Sequence, residues 1–202
     1  AKSNFFLLET MRWDPSEGIS LKDLHLDRIT ASAKHFGFDF DREKTSDSLD
    51  QIQGNTSKRV RLLSSPNGAI EIQILDLPEP TTESWEVPID VVPVQSENEF
   101  LFHKTTMRDF YDEARNRFPD SPDVLLWNER GEVTETTTGN LVIETGGQLL
   151  TPPVICGLLP GTFRRQLIDE GVITENVIHR SDLDKASAIW MINSLRGWVP
   201  LR

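Results

Sequence analysis

The chain has 202 residues, enough for one large domain or two small ones with real cores. Its 32 acidic against 21 basic residues leave a net charge of −11, which repels a nucleic-acid backbone or an anionic membrane surface, so an anionic substrate needs a local cluster of arginines. The single cysteine, Cys156, excludes an intrachain disulfide and fits a reducing compartment as a buried, inert thiol. No stretch approaches the roughly 20 apolar residues of a membrane span, and Ala1-Lys2-Ser3-Asn4 lacks the apolar core of a signal peptide, so the reading is cytoplasmic. His25, His35, His103 and His179 are scattered without ligand spacing, and no metal site is expected.

In chain order, Phe5 to Trp13 is apolar and then alternating, which predicts a strand buried for most of its length. Strand alternation puts Thr10 and Arg12 on one side, and that geometry makes Arg12 a candidate contact for a substrate carboxylate. Ser20 is an expected N-cap for a helix running to about Phe36, closed by Gly37 in the left-handed position. Leu21, Leu24, Arg28 and Ser32 lie on neighbouring turns of that helix, beside an apolar stripe of Ile29, Ala33 and Phe36. A short helical piece over 46–53 follows. Arg59 to Ser64 and Ala69 to Leu77 then form a hairpin across Pro66-Asn67-Gly68, with Ile70, Ile72 and Ile74 alternating with Glu71 and Gln73. The stretch 78–88 reads as an exposed connection, and 87–94 as extended but broken by proline. A domain boundary is expected within Pro93 to Asn98, giving a smaller α+β domain over 1–95 and a β-rich domain over 96–202.

Phe100-Leu101-Phe102-His103-Lys104 reads as a short buried strand ending at a lysine, followed by Thr105 and Thr106 and a segment of helical period. A lysine desolvated there can keep a neutral amine able to form a Schiff base; the alternative is a strand-end lysine with its ammonium in water. Beyond it, 108–118 is a helix with a stripe of Phe110, Tyr111, Ala114 and Phe118, in which Tyr111 is assigned to the core rather than to a site. Two hairpins follow: 123–127 with 132–136 across Asn128 to Gly131, and 140–144 with 148–151 across Gly146-Gly147. A helix over 161–169 starts from Gly157-Leu158-Leu159-Pro160. The remainder reads as a strand over 172–179, a short helix from Ser181, and an apolar run 186–193 ending at a polar turn.

The ordered series of the Lys104 strand, Gly131 to Asn140, Leu150-Thr151-Pro152-Pro153, Gly157 to Arg164 and Asn193 to Gly197 resembles the class IV aminotransferase family, the fold type IV pyridoxal phosphate enzymes. The resemblance runs from about Phe5 to Arg202 and is greatest to the aminodeoxychorismate lyase branch. It implies a two-domain α+β fold of the D-amino acid aminotransferase type, with pyridoxal 5'-phosphate carried on Lys104 and its ring nitrogen served by Glu135. It further implies that Arg28, Gly161, Thr162, Phe163 and Ser194 hold the phosphate and that Thr10 relays a proton. Arg108 and Arg196 compete with Arg12 as substrate contacts. The implied reaction converts 4-amino-4-deoxychorismate to 4-aminobenzoate and pyruvate in folate biosynthesis; the alternative is transamination of a branched-chain or D-amino acid. A homodimer and an aminodeoxychorismate synthase, fused or separate, are the implied partners. Two positions depart from the family: Phe163 stands where a hydroxyl residue is common, with Thr162 as the expected substitute, and Met107 replaces an asparagine. The chain also begins almost at its first strand, read as trimmed, naturally short or separated from a fusion.

Overall fold

A computed structural model describes residues 5–202; the leader reading of Ala1 to Asn4 lies outside them. The chain is α+β and divides into two compact units. One extends to Glu79 and takes in His103–Met107, and the other comprises Pro80–Phe102 and Arg108–Arg202.

In the first unit, β1 (Leu7–Asp14) pairs antiparallel with β2 (Gly18–Ile19) and β3 (Lys58–Ser64), and β3 with β4 (Ile70–Asp76), in the order β2-β1-β3-β4. Because side chains alternate along β1, Leu7, Met11 and Trp13 go to one face, where Leu26, Ile29 and Ala33 of α1 (Lys22–Phe36) are also buried. Each such large side chain contributes about 1.5–3 kcal/mol on burial. The predicted β3–β4 hairpin forms, and its turn needs glycine twice over. Gly68 has φ 81°, and a Cβ there would come within 2.8 Å of the Asp39 carbonyl oxygen.

Several expected boundaries move for local reasons. The Ser20 amide donates to the Arg12 carbonyl at 2.9 Å, so Ser20 belongs to the β1–β2 hairpin. The entry to α1 therefore falls on Leu21, which takes the left-handed φ of 53° and offers no side-chain cap. The other end is as expected, with Gly37 at φ 68° and its amide on the Ala33 carbonyl. The next helix, α2 (Arg42–Asp50), starts earlier than 46 because Asp41 caps it, its carboxylate accepting from the Lys44 amide at 2.9 Å. Phe100 to Phe102 is not a strand: Glu99–Leu101 is a 3₁₀ turn whose Phe100 amide donates to the Asn98 side chain. The strand-like pairing lies just beyond, where Thr105 bridges Leu7 on the edge of β1 opposite to β3.

The second unit holds α3 (Asp109–Arg117), β5 (Leu125–Trp127), β6 (Val133–Thr136), β7 (Asn140–Thr145), β8 (Gln148–Thr151), α4 (Thr162–Asp169), β9 (Thr174–Glu175), β10 (Ala188–Asn193) and β11 (Gly197–Leu201). Its sheet runs β11-β10-β7-β6-β5, with β8 pairing β7 and, in parallel, β9. Both predicted hairpins form. The expected strand over 172–179 is a strand only at Thr174–Glu175, with one further isolated bridge from His179 to Glu132, and the short helix expected from Ser181 is a 3₁₀ segment, Arg180–Lys185. Strand β11 escapes a pattern reading because Pro200 interrupts it; at a sheet edge the missing amide costs little. Tyr111 and Ala114 pack with Val94, Leu101, Val124 and Leu126. Burial pushes the Cys156 thiol up to about 12, with the Glu132 carboxylate adding to the effect, which makes it a poor nucleophile. Among the described residues no helix is long and apolar enough to cross a membrane, and no group of three acids, histidines or cysteines is gathered for a metal.

Candidate active site

On the α1 side of the first sheet, Glu9 is completely enclosed and receives a fork from Arg28, Nε on Oε1 at 2.8 Å and an Nη on Oε2 at 2.6 Å. His25 Nδ1 lies 2.7 Å from Oε2. Burial works to raise the Glu9 carboxyl, but the Arg28 charge and the hydrogen bonds from Arg28 and His25 outweigh it and hold the group at about 2. Burial lowers His25 against the pull of Glu9, and the positive charges of Arg28 and Lys104 lower it further. A neutral imidazole beside a carboxylate, which can only accept, carries its proton on Nδ1. The fork fixes the plane of Arg28, the predicted phosphate ligand.

The other face of the same sheet is built differently. Thr10 is opposite Arg61, and Arg12 directly opposite Arg59, so one hydroxyl and three guanidinium side chains share a face. Like charges directly opposite across two strands are destabilising. Among the described residues none of the three arginines forms an ion pair, although the Arg12 charge helps to lower Asp14, two residues along β1; Arg61 reaches only Gln73, at 3.5 Å. The Nε of Arg59 is buried and has no acceptor. In the sequence Arg59 and Arg61 are two charged residues of a hairpin strand, and only strand register brings them to Arg12 and Thr10.

Lys104 is held through its backbone. Its carbonyl accepts from the Leu8 amide at 3.0 Å, the Thr106 amide donates to Phe6 O at 2.9 Å, and the Phe6 amide donates to Thr106 Oγ1 at 2.9 Å. Thr105 Oγ1 accepts from the Met107 amide at 3.0 Å. The segment after the lysine is thus tied to the edge of β1 through Phe6, Leu7 and Leu8. Next to it, His103 accepts or donates at Ser32 Oγ, 2.9 Å away, and stacks on His35.

In the second unit Glu135 is buried on β6; Oε1 accepts from the Tyr111 hydroxyl at 2.5 Å and Oε2 from the Leu159 amide at 3.3 Å. Its cross-strand neighbour Asn140 donates to the Leu159 carbonyl at 2.8 Å, so the two side chains hold the peptides on either side of Leu159 in the turn leading into α4. A Cβ on Gly161 would come within 2.1 Å of Asn140 Oδ1, which restricts that position to glycine. No side chain caps α4 and no acid lies in its first turn, which leaves a positive dipole end for an anion. Thr162 is buried beside this start. Phe163 packs its ring against Val142, Leu167 and Trp198, so it offers only its backbone amide to a ligand. Ser194 stands in the β10–β11 turn, which Asn193 shapes by accepting from the Leu195 and Arg196 amides. Arg108 donates to the Thr137 carbonyl at 3.0 Å and covers the Tyr111 ring, while Arg196 donates to Thr81 and covers Trp85.

Each unit by itself carries donors suited to pyridoxal phosphate: in the first, a strand-locked lysine and a forked arginine; in the second, a buried carboxylate with defined orientation and an uncapped helix start crowded to glycine. Such groups belong to an α+β enzyme that works on amines through a phosphorylated aromatic cofactor. The chain belongs to the class IV aminotransferase family, whose model matches residues 7–202. It is 32% identical to a Schizosaccharomyces pombe protein assigned as an aminodeoxychorismate lyase, over 96% of this chain and 87% of that one. The crystal structure of a Mesorhizobium loti protein assigned as an amino-acid aminotransferase superposes with a TM-score of 0.91 at 37% identity, covering 98% and 99% of the two chains. A branched-chain aminotransferase from Thermoproteus uzoniensis shares the fold, with a TM-score of 0.84 at 21% identity over 98% of this chain and 77% of that one.

Proposed function

We propose that the chain is a pyridoxal phosphate-dependent lyase converting 4-amino-4-deoxychorismate to 4-aminobenzoate and pyruvate, a step of folate synthesis. The observation that carries this reading is the face of Thr10, Arg12, Arg59 and Arg61, three guanidinium groups that form no ion pair among the described residues, with the Arg59 Nε buried and without an acceptor, in a chain of net charge −11. A substrate with two carboxylates supplies the missing charge. The likeness to the Schizosaccharomyces pombe protein supports the same substrate.

Pyridoxal phosphate, when bound, supplies an electron sink for the charge left at the amine-bearing carbon. Arg28, set in plane by Glu9, holds the phosphate together with the start of α4, Thr162 and Ser194. Glu135 accepts from the ring nitrogen. Lys104 anchors the cofactor, and its amine takes the proton from the amine-bearing ring carbon of the substrate. The Thr10 hydroxyl gives a proton to the enolpyruvyl oxygen as its bond to the ring breaks. The two products together contain every atom of the substrate, so the step needs no oxidant and no second substrate. This reading includes a cytoplasmic homodimer, with an aminodeoxychorismate synthase, fused or separate, as the source of substrate.

The test follows 4-aminobenzoate and pyruvate together from enzymatically made aminodeoxychorismate with added cofactor. Equal amounts of both, absent in Lys104→Ala, are expected; substantial turnover by that variant would sink the assignment. A second reading, transamination of an amino acid, is favoured by the 37% identity to the Mesorhizobium loti protein across nearly its whole length. Amino transfer to a keto acid without pyruvate release from aminodeoxychorismate would establish it instead.

A further inference from the structure

Tyr111 occupies an apolar cluster with Leu101, Ala114 and Val124, yet its hydroxyl does not end in that cluster. It donates to Glu135 Oε1 at 2.5 Å, and both residues are buried, with exposures of 6% and 3%. The Arg108 guanidinium lies 4.6 Å from the centre of the Tyr111 ring. A cation over a phenol draws electron density from its oxygen and makes the O–H a stronger donor. Arg108 is itself fixed, donating to the Thr137 carbonyl one strand end beyond Glu135. On the other side, Glu135 Oε2 accepts from the N–H of Leu159, a residue whose own carbonyl accepts from Asn140. The carboxylate is therefore gripped at both oxygens.

We propose that Tyr111, supported by Arg108, is a positioning residue for the cofactor ring: it fixes the rotamer of Glu135 and sets how much of that carboxylate's basicity is left for the ring nitrogen. The inference rests on the reading of Glu135 as the ring-nitrogen partner. A carboxylate with one oxygen on a strong donor and the other on a backbone amide keeps a single orientation and shares its charge in a fixed ratio. Without the phenol, Glu135 loses its short donor at Oε1, and its orientation towards the ring nitrogen is held less firmly. Arg108 then acts two groups away from the cofactor, through the ring and the carboxylate, and has no need to reach the substrate.

The experiment compares wild type, Tyr111→Phe, Glu135→Gln and the double variant, each reconstituted with pyridoxal phosphate. Three quantities are read: the pH midpoint of the visible band of the bound cofactor, the cofactor dissociation constant, and the melting temperature of the cofactor-free protein. Phenylalanine keeps the ring in its cluster and removes only the donor. Tyr111→Phe is expected to shift the midpoint in the direction of Glu135→Gln and to weaken cofactor binding roughly tenfold, as loss of a hydrogen bond to a charged group does. In the Glu135→Gln background the same change is expected to leave the midpoint where it is. A wild-type midpoint in Tyr111→Phe, with only the melting temperature lowered, would overturn the proposal and return Tyr111 to a packing role. If Glu135→Gln itself leaves the midpoint unmoved, the reading of Glu135 fails, and the proposal falls with it for that separate reason.

Discussion

The two faces of one strand are treated in opposite ways. Glu9 points towards α1 and has Arg28 and His25 on its oxygens, so every charge there is answered within the protein. One residue on, Thr10 and then Arg12 point the other way, to a face where Arg59 stands opposite Arg12 and, among the described residues, neither forms an ion pair, although Asp14 feels the Arg12 charge. Closed electrostatics of the first kind hold a group in place. Open electrostatics of the second kind cost folding energy, and the proposed substrate is what would complete them.

The largest effect should come from opening the closed face. Glu9→Gln leaves Arg28 half-enclosed without its anion and is expected to lose about 3 kcal/mol of stability in urea titrations. A loss below about 1 kcal/mol would mean that solvent already answers Arg28 and that the two faces differ little. Next, Arg59→Met and Arg61→Met should raise KM for the dianionic substrate by roughly ten- to a hundredfold, about 1.4–2.7 kcal/mol, while unfolding free energy stays level or rises. Unchanged KM in both would remove the open face from substrate binding.

Acid provides a third handle, with the sign set by the groups on the closed face. His25 is lowered in the folded chain, so the unfolded chain takes up protons first as pH falls through 6.5, and stability begins to decline there. Glu9 lies at about 2 folded against 4.5 unfolded; its contribution is whole above 4.5 and is lost as pH drops towards 2. The decline should steepen below 4.5 in wild type and flatten in Glu9→Gln, as seen by denaturant titrations along a pH series. The smallest effect calibrates the rest. Leu21→Gly, at the left-handed entry of α1 and away from both faces, should gain about 0.5–1 kcal/mol through relief at φ 53°. A loss there would show that the leucine side chain packs more than the backbone strains.

Much of this was legible from local signals. The β3–β4 turn, the glycine end of α1 and the hairpins of the second unit follow from residues whose backbone preferences act within a few positions. The candidate site residues were named from family motifs that depart at Phe163 and Met107, and Thr10 and Arg12 share a face as strand alternation requires. What local pattern could not supply was partnership. Phe100 to Phe102 was too short a run to separate strand from 3₁₀ turn, and the outcome depended on the Asn98 side chain and on where Leu101 found its cluster. Pro200 hid β11, because only a sheet edge makes a proline harmless.

Tyr111 is the clearest case. Its helical spacing put the ring in the core, which is where it lies, but the oxygen reaches Glu135 across a sequence separation of 24 residues. The sequence by itself determined which chemical groups the chain carries and which short segments turn, bend or coil, since those depend on the residue and its neighbours. Tertiary structure alone decided that Glu9 answers Arg28, that Arg59 and Arg61 join Arg12, and that a core tyrosine holds a carboxylate, because hydrogen bonds and charges act over ångströms in space and sequence distance does not enter their energy.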